Sequence, residues 1–196
     1  MEIVRLERSR LGEASAVLAR AFQDDPAWIW LVPEEDRRAE LLPWLFRVGF
    51  DVTAAEVYAT AGQVEGAARW LPPGRQPMRV AATLRALVTT PIRLGRTTPQ
   101  FLAYGRAVEA MRAEVAPDAH WYLAGIGVEP SAQRRGIGGA LLHPGIDAAL
   151  RDGVPAVLLT NNEANLPFYE AHGFRTVREG ETPKGGPHAW AMVRRP

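Results

Sequence analysis

The 196-residue chain carries 23 basic against 22 acidic side chains, a hydrophobic share of 47% and no cysteine. Its length suits one domain with a full core, and the missing thiols exclude disulfides, thiolate metal sites and a cysteine nucleophile. There is no net field and no apolar run near the roughly 20 residues of a membrane span, and Met1-Glu2-Ile3-Val4-Arg5-Leu6-Glu7-Arg8 lacks the apolar stretch and small-residue cleavage site expected of a secretory signal. The expectation is a cytoplasmic protein that binds neither nucleic acid nor membrane.

In chain order, Glu2 to Glu7 reads as a short edge strand, and Leu11, Ala14, Leu18 and Phe22 recur with the period of an amphipathic helix. Asp24-Asp25-Pro26 ends that helix and offers an N-cap before a helix-starting proline. Leu41, Leu42, Leu45 and Val48 predict the next helix; the aromatic run of Trp28, Trp30, Trp44, Phe46 and Phe50 reads as core in preference to an acceptor pocket. Two strands, Glu56 to Thr60 and Gln63 to Leu71, form a hairpin about Ala61-Gly62. Val80, Leu84, Leu87 and Val88 predict a helix stopped by Pro91, and Phe101, Tyr104, Val108, Met111 and Val115 one stopped by Pro117. A central strand, His120 to Val128, ends before Pro130. The remainder reads as a helix over Ala140 to Arg151 kinked at Pro144-Gly145, a strand from Val154 to Thr160, a short helix from Leu166 to His172, and closing strands over Phe174 to Arg178 and His188 to Arg194. Alternating strands and helices with tight hairpins predict a single α/β domain around a mixed sheet.

The chemistry lies after Val128. In Gln133-Arg134-Arg135-Gly136-Ile137-Gly138-Gly139-Ala140 a strand leads through a glycine turn into a helix, which gathers free backbone N–H groups at the positive end of the helix dipole. Glycine lets the backbone approach an anion without a Cβ in the way. A Walker loop is excluded because no lysine follows the last glycine, and a dinucleotide fingerprint is poorly met because Leu141 stands where its third glycine belongs.

Val128-Glu129-Pro130 followed by Gln133-Arg134-Arg135-Gly136-Ile137-Gly138 resembles the first signature of the GNAT superfamily of acetyl-CoA-dependent N-acetyltransferases. The second signature is matched by Asn162, Asn165, Phe168, Tyr169, Gly173 and Phe174, in register downstream. Within that superfamily the stretch from Trp121 onward looks most like puromycin N-acetyltransferase, through Leu142-His143-Pro144-Gly145, Gly153-Val154-Pro155-Ala156 and Asn165-Leu166-Pro167-Phe168-Tyr169. The resemblance implies the GNAT fold: one domain with a mixed, mostly antiparallel central sheet flanked by helices, an acceptor-side half near residues 1–118 and an acetyl-CoA-binding half near 119–196. It implies that the turn from Gln133 to Ala140 holds the coenzyme pyrophosphate, chiefly through the amides of Arg135, Gly136, Gly138, Gly139 and Ala140. Ile126 and Val128 would hold the acetyl end where their strand splays from its parallel neighbour. Asn162 and Asn165 would bond pantetheine or cap the following helix.

The implied reaction is direct attack of a neutral amine on the thioester, with Tyr169 protonating the departing thiolate and no metal. Where some relatives carry a strand glutamate as base, this chain has Tyr122; His120, Glu56 and the Asp24-Asp25 pair remain as alternatives, beside a water chain. The resulting expectation is transfer of acetyl to a primary amine of a small, antibiotic-like molecule by a monomer or homodimer. The rivals are a peptide or protein N-acetyltransferase and a catalytically silent acyl-CoA sensor.

Overall fold

The computed structural model describes residues 1–53, 55–74 and 79–196. Its strands are β1 (Ile3–Arg5), β2 (Glu56–Thr60), β3 (Gly66–Leu71), β4 (Trp121–Val128), β5 (Ala156–Thr160), β6 (Arg175–Glu181) and β7 (His188–Arg194). They make one sheet in the order β1-β2-β3-β4-β5-β7-β6. Only β4 and β5 run parallel; every other neighbouring pair is antiparallel. The helices are α1 (Leu11–Ala21), α2 (Pro26–Leu31), α3 (Glu35–Val52), α4 (Val80–Leu94), α5 (Thr98–Val115), α6 (Ile137–Asp152) and α7 (Leu166–Ala171). The mixed, mostly antiparallel sheet flanked by helices is the architecture the sequence predicted. Among the described residues no helix is long and apolar enough to cross a membrane.

The two sheet faces are sorted by strand alternation. Trp70, Leu123 and Leu158 pack beneath α6 with Ile137, Leu141 and Ile146. Val57, Ala59 and Ala67 meet Leu11, Leu18 and Phe50 from α1 and α3 on the opposite face, where Ala189 and Ala191 lie under Met111 of α5. Glycine sets the closest approaches. A Cβ on Gly127 would stand 2.7 Å from the Cβ of Ala21, so α1 seats directly on β4.

The register of β3 against β4 shifts between Arg69 and Trp70: Arg69 pairs with Gly125 but Trp70 with Leu123. Ala124 is therefore an extra residue, a bulge that reverses which side chains face α6. Trp121 and Leu123 belong to that face before it, Ile126 and Val128 after it. Pairing of β4 with β5 covers Trp121, Tyr122 and Leu123 only. From the bulge onward the two parallel strands part.

Three expectations need correction. Pro91 does not stop α4, which continues to Leu94 and ends at Gly95 with φ +56°. Pro91 lies in the last turn, where its missing N–H costs one helix bond, to the carbonyl of the exposed Leu87. Nor does the apolar stripe of α4 pack inward: Val80, Leu84, Leu87 and Val88 are 71, 59, 66 and 63% exposed. The packed side is made of the small residues Ala82, Thr83, Ala86, Thr89 and Thr90, with Leu94 fully buried at its end. Thirdly, α6 begins at Ile137 and runs unbroken through Pro144 to Asp152.

Gly145 answers to packing in place of the expected kink. A Cβ there would fall 2.1 Å from the ring of the fully buried Trp70. Gly145→Ala should therefore destabilise the fold by at least about 1–3 kcal/mol, the usual cost of overpacking. Urea unfolding followed by tryptophan fluorescence measures this.

Candidate functional site

Where β4 leaves β5, a cleft of about 1180 Å³ runs from the α1–α2 loop, through the gap between the strands, to the start of α6. Its walls include Phe22, Asp24 and Asp25 at one end, Ile126 and Val128 midway, and Gly136 to Ala140 at the other. Gln133, Arg134, Asn162, Asn165 and Tyr169 also line it. The residues expected to hold the coenzyme, and Tyr169 with them, all line this cleft except Arg135. Its guanidinium turns away to pair with Glu65 at 3.0 Å and ties the turn to the β2–β3 hairpin.

The turn is shaped by two left-handed residues, Arg134 at φ +62° and Gly136 at φ +80°. Such alternation directs successive N–H groups to one side, the geometry of an anion nest. At the start of α6 the N–H groups of Ile137, Gly138 and Gly139 precede the first intrahelical bond and find no acceptor among the described residues. Ala140 is different. Its N–H donates to the Gly136 carbonyl at 3.1 Å, so it lines the cleft without a free amide, contrary to the role expected of it.

The glycines divide their work. Gly136 is needed for its φ, with open space where a Cβ would be. Gly138 and Gly139 are helical, and their Cβ positions point at α7: Gly138 toward the Phe168 ring at 3.3 Å, Gly139 toward Nε2 of His172 at 2.9 Å. These two admit α7 against α6, which is a packing reason beside the expected one of backbone approach to an anion. The asparagines also separate. Asn162 Oδ1 accepts from the Ala164 N–H at 3.1 Å and caps a short 3-10 turn, while Asn165 makes no capping bond.

Tyr169 is buried against Phe168 and Phe174, with ring centroids 5.1 and 6.1 Å away. Burial, helped by the charge of Asp25, pushes its hydroxyl above the ordinary tyrosine value, so it keeps its proton at any physiological pH. Across the cleft, Asp25 caps α2 by accepting from the Ala27 N–H at 3.0 Å. Burial raises its carboxyl too, against the lowering pull of the backbone bonds from Ala27 and Trp28. The loop that presents it is clasped by the buried Arg38, which donates to the carbonyls of Gln23, Val32 and Pro33 at 2.6, 2.8 and 3.0 Å. No sequence signal separates this arginine from its exposed neighbours.

The other expected bases lie elsewhere. His120 donates from Nδ1 to the Asp118 carbonyl and accepts from Arg112 at Nε2, and Glu56 is held by Tyr58 and Arg5. Neither lines the cleft, nor do Trp28, Trp30, Trp44, Phe46 or Phe50. Those aromatic residues pack in the cores around α2 and α3, as read from sequence. The reading from sequence passed over His143 and His172, which stand beyond the glycine turn on the cleft wall. Their spacing from Gly139 along one helix face and across α7 was the available signal. Among the described residues no cluster is suited to a metal ion.

A raised carboxyl stabilises the fold while protonated; that contribution is complete below the ordinary carboxylate range and is lost as pH rises through the raised value. Asp25→Asn keeps an oxygen for the Ala27 N–H without the desolvated charge. The variant should melt no lower than the wild type at pH 7, and its advantage should shrink as melts are repeated down to about pH 4.

Set beside known proteins, residues 90–174 match the family model for the acetyltransferase (GNAT) family. An uncharacterized N-acetyltransferase of Schizosaccharomyces pombe is 26% identical over 183 residues, covering 89% of this chain and 74% of that protein. Among solved structures, a histone acetyltransferase HPA2 and related acetyltransferase from Corynebacterium glutamicum superposes with a TM-score of 0.67 at 20% identity, covering 99% of this chain and 95% of that one. A polyamine N-acetyltransferase of Drosophila melanogaster, which catalyses formation of N-acetylagmatine, superposes at 0.64 and 14% identity with full coverage of both chains, 100% each. The fold is that of the GNAT acetyltransferases. The matched segment, residues 90–174, holds the glycine turn and Tyr169, and the likeness to the solved structures is one of fold.

Proposed function

We propose that this acetyltransferase uses acetyl-CoA to acetylate the primary amine of a small cationic molecule, with residues 119–196 holding the coenzyme and residues 1–118 supplying the acceptor side. The observation that carries the reading is one cleft joining unpaired strand edges, the free amides of the glycine turn, and an Asp25–Tyr169 pair on opposite walls. These residues fit the coenzyme. The amides of Ile137, Gly138 and Gly139 suit its pyrophosphate, reinforced by Arg134. The edge of β4 from Ala124 to Val128, no longer paired with β5, suits the amides of its pantetheine arm. Gln133 reaches the Val128 carbonyl at 3.4 Å and steadies the junction between the two. Asn165, free of a capping duty, faces the same arm.

When bound, acetyl-CoA supplies an activated acetyl thioester. Asp24 and Asp25 give the acceptor end a negative character that draws an ammonium group. An amine reacts only after losing its proton, and a desolvated carboxylate whose affinity for protons is raised is suited to take it. With the thioester bound, Tyr169 would be the side chain that donates a hydrogen bond to the leaving sulfur. Its hydroxyl holds its proton too firmly to surrender it outright to a thiol-forming sulfur of ordinary pKa about 8.5. It acts as a preorganised donor to developing charge. A small amine of the aminonucleoside antibiotic kind belongs to this substrate class, on the similarity of residues 142–145 and 165–169 to puromycin N-acetyltransferase.

A thiol-release screen of primary amines with acetyl-CoA tests the proposal, and amines carrying a positive charge should lead it. With the best of them, Tyr169→Phe should lower the single-turnover rate about 10²–10³-fold, the cost of one lost donor to developing charge. Asp25→Asn should lower it about 10²–10⁴-fold, as for loss of a general base. Rates within a few-fold of wild type in both variants would remove the pair from the mechanism. Absence of thiol release with every amine would leave the chain a silent acyl-CoA binder.

A further inference from the structure

Beyond the glycine turn the cleft ends at two histidines. His143 stands four residues after Gly139 on α6, a rise of about 6 Å, and His172 follows α7. Both line the cleft, with ring centroids 6.3 Å apart in an edge-on contact. His172 is locked in rotation: its Nδ1–H donates to the Phe168 carbonyl at 2.8 Å, and its ring packs on that of Phe168 at 4.8 Å. A carbonyl only accepts, so the hydrogen is on Nδ1 and Nε2 is the free atom. The side chain of His172 occupies the space that a Cβ on Gly139 would need, which accounts for that glycine without reference to the turn's own conformation.

We propose that His143 and His172 form a phosphoryl subsite that holds the 3′-phosphate of coenzyme A; this rests on the coenzyme reading above. A pyrophosphate at the amides of Ile137 to Gly139, with its pantetheine arm running toward the β4–β5 gap, must send its nucleotide the other way. That path crosses the second turn of α6 and the end of α7. The next anion along it meets the imidazoles. Near neutral pH a phosphate monoester, whose second pKa is near 6, is chiefly a dianion that offers acceptor oxygens only, so Nε2 of His172 meets it as a donor only when protonated. Binding of coenzyme A near neutral pH is thereby coupled to proton uptake. The charged groups on the elements around the pair are Arg134 and Arg135 before α6, Asp147, Arg151 and Asp152 on α6, Glu163 and Glu170 beside and within α7, Arg175, Arg178, Glu179 and Glu181 on β6 and Arg194 on β7.

Titration calorimetry of the full chain with coenzyme A and with 3′-dephospho-coenzyme A, at pH 7 in two buffers of different ionisation enthalpy, reads affinity and protons together. Coenzyme A should bind about tenfold tighter and alone take up protons. His143→Gln, on the exposed face of α6, should cut the preference to within about threefold without altering the affinity for the dephospho form. His172→Asn should do the same and abolish the uptake; should it fail to fold, the wild type and His143→Gln decide. Equal affinity for the two ligands in the wild type, or an unchanged preference in the variants, overturns the subsite and leaves the coenzyme reading standing. If neither ligand binds, the coenzyme reading falls and the subsite with it.

Discussion

Everything at the site depends on one extra residue in a strand. Without Ala124, β4 would keep its register against β3 and its pairing with β5, and its side chains would continue to alternate as they began. With it, the strand twists away, and backbone donors and acceptors that a central strand normally spends on its neighbour are left facing a cleft. Such groups are costly to bury and bare, so the gap calls for either water or a ligand that is itself an extended chain of amides. The same bulge turns Gly127 toward α1, which comes close enough over it to carry the Asp24–Asp25 loop to the rim.

Two unlike walls meet across that gap. The coenzyme side is built from backbone and needs little side-chain chemistry beyond glycine's freedom at Gly136. It is braced by Arg20 on Glu129 at 2.7 Å and by Arg135 on Glu65. The acceptor side is built from side chains on a loop, and a loop of that kind has no ladder to hold it. Arg38 does the holding, with three carbonyls on one buried guanidinium, an arrangement that spends hydrogen bonds to fix where Asp25 points.

Much of the fold was legible because local chemistry and tertiary packing agree in it. The strand before Pro130, the glycine turn and the cap at Asp25 are each written in a few adjacent residues. The apolar stripe of α4 misled because periodicity reports that a helix has two faces without saying which one packs; small Ala82 and Ala86 turn inward where Leu84 and Leu87 were expected. Pro144 and Gly145 looked like a break because both weaken a helix, yet Gly145 answers to Trp70, a residue far away in the chain. The same limit applies to Arg38. Its partners are carbonyls, which every residue has, so no pattern of side chains betrays it.

The strand order has its own consequence for how the sheet is assembled. β7 follows β6 in the chain but lies inside it, between β5 and β6. As the polypeptide emerges during synthesis, β6 therefore has no edge to dock on until β7 has been made and has settled on β5. Until that insertion occurs, the exposed edge of β5 is open to any strand of suitable character. Residues 188–194 thus act as the keystone of this half of the sheet, and a nascent chain that lacks them keeps an unsealed edge, however complete the glycine turn already is.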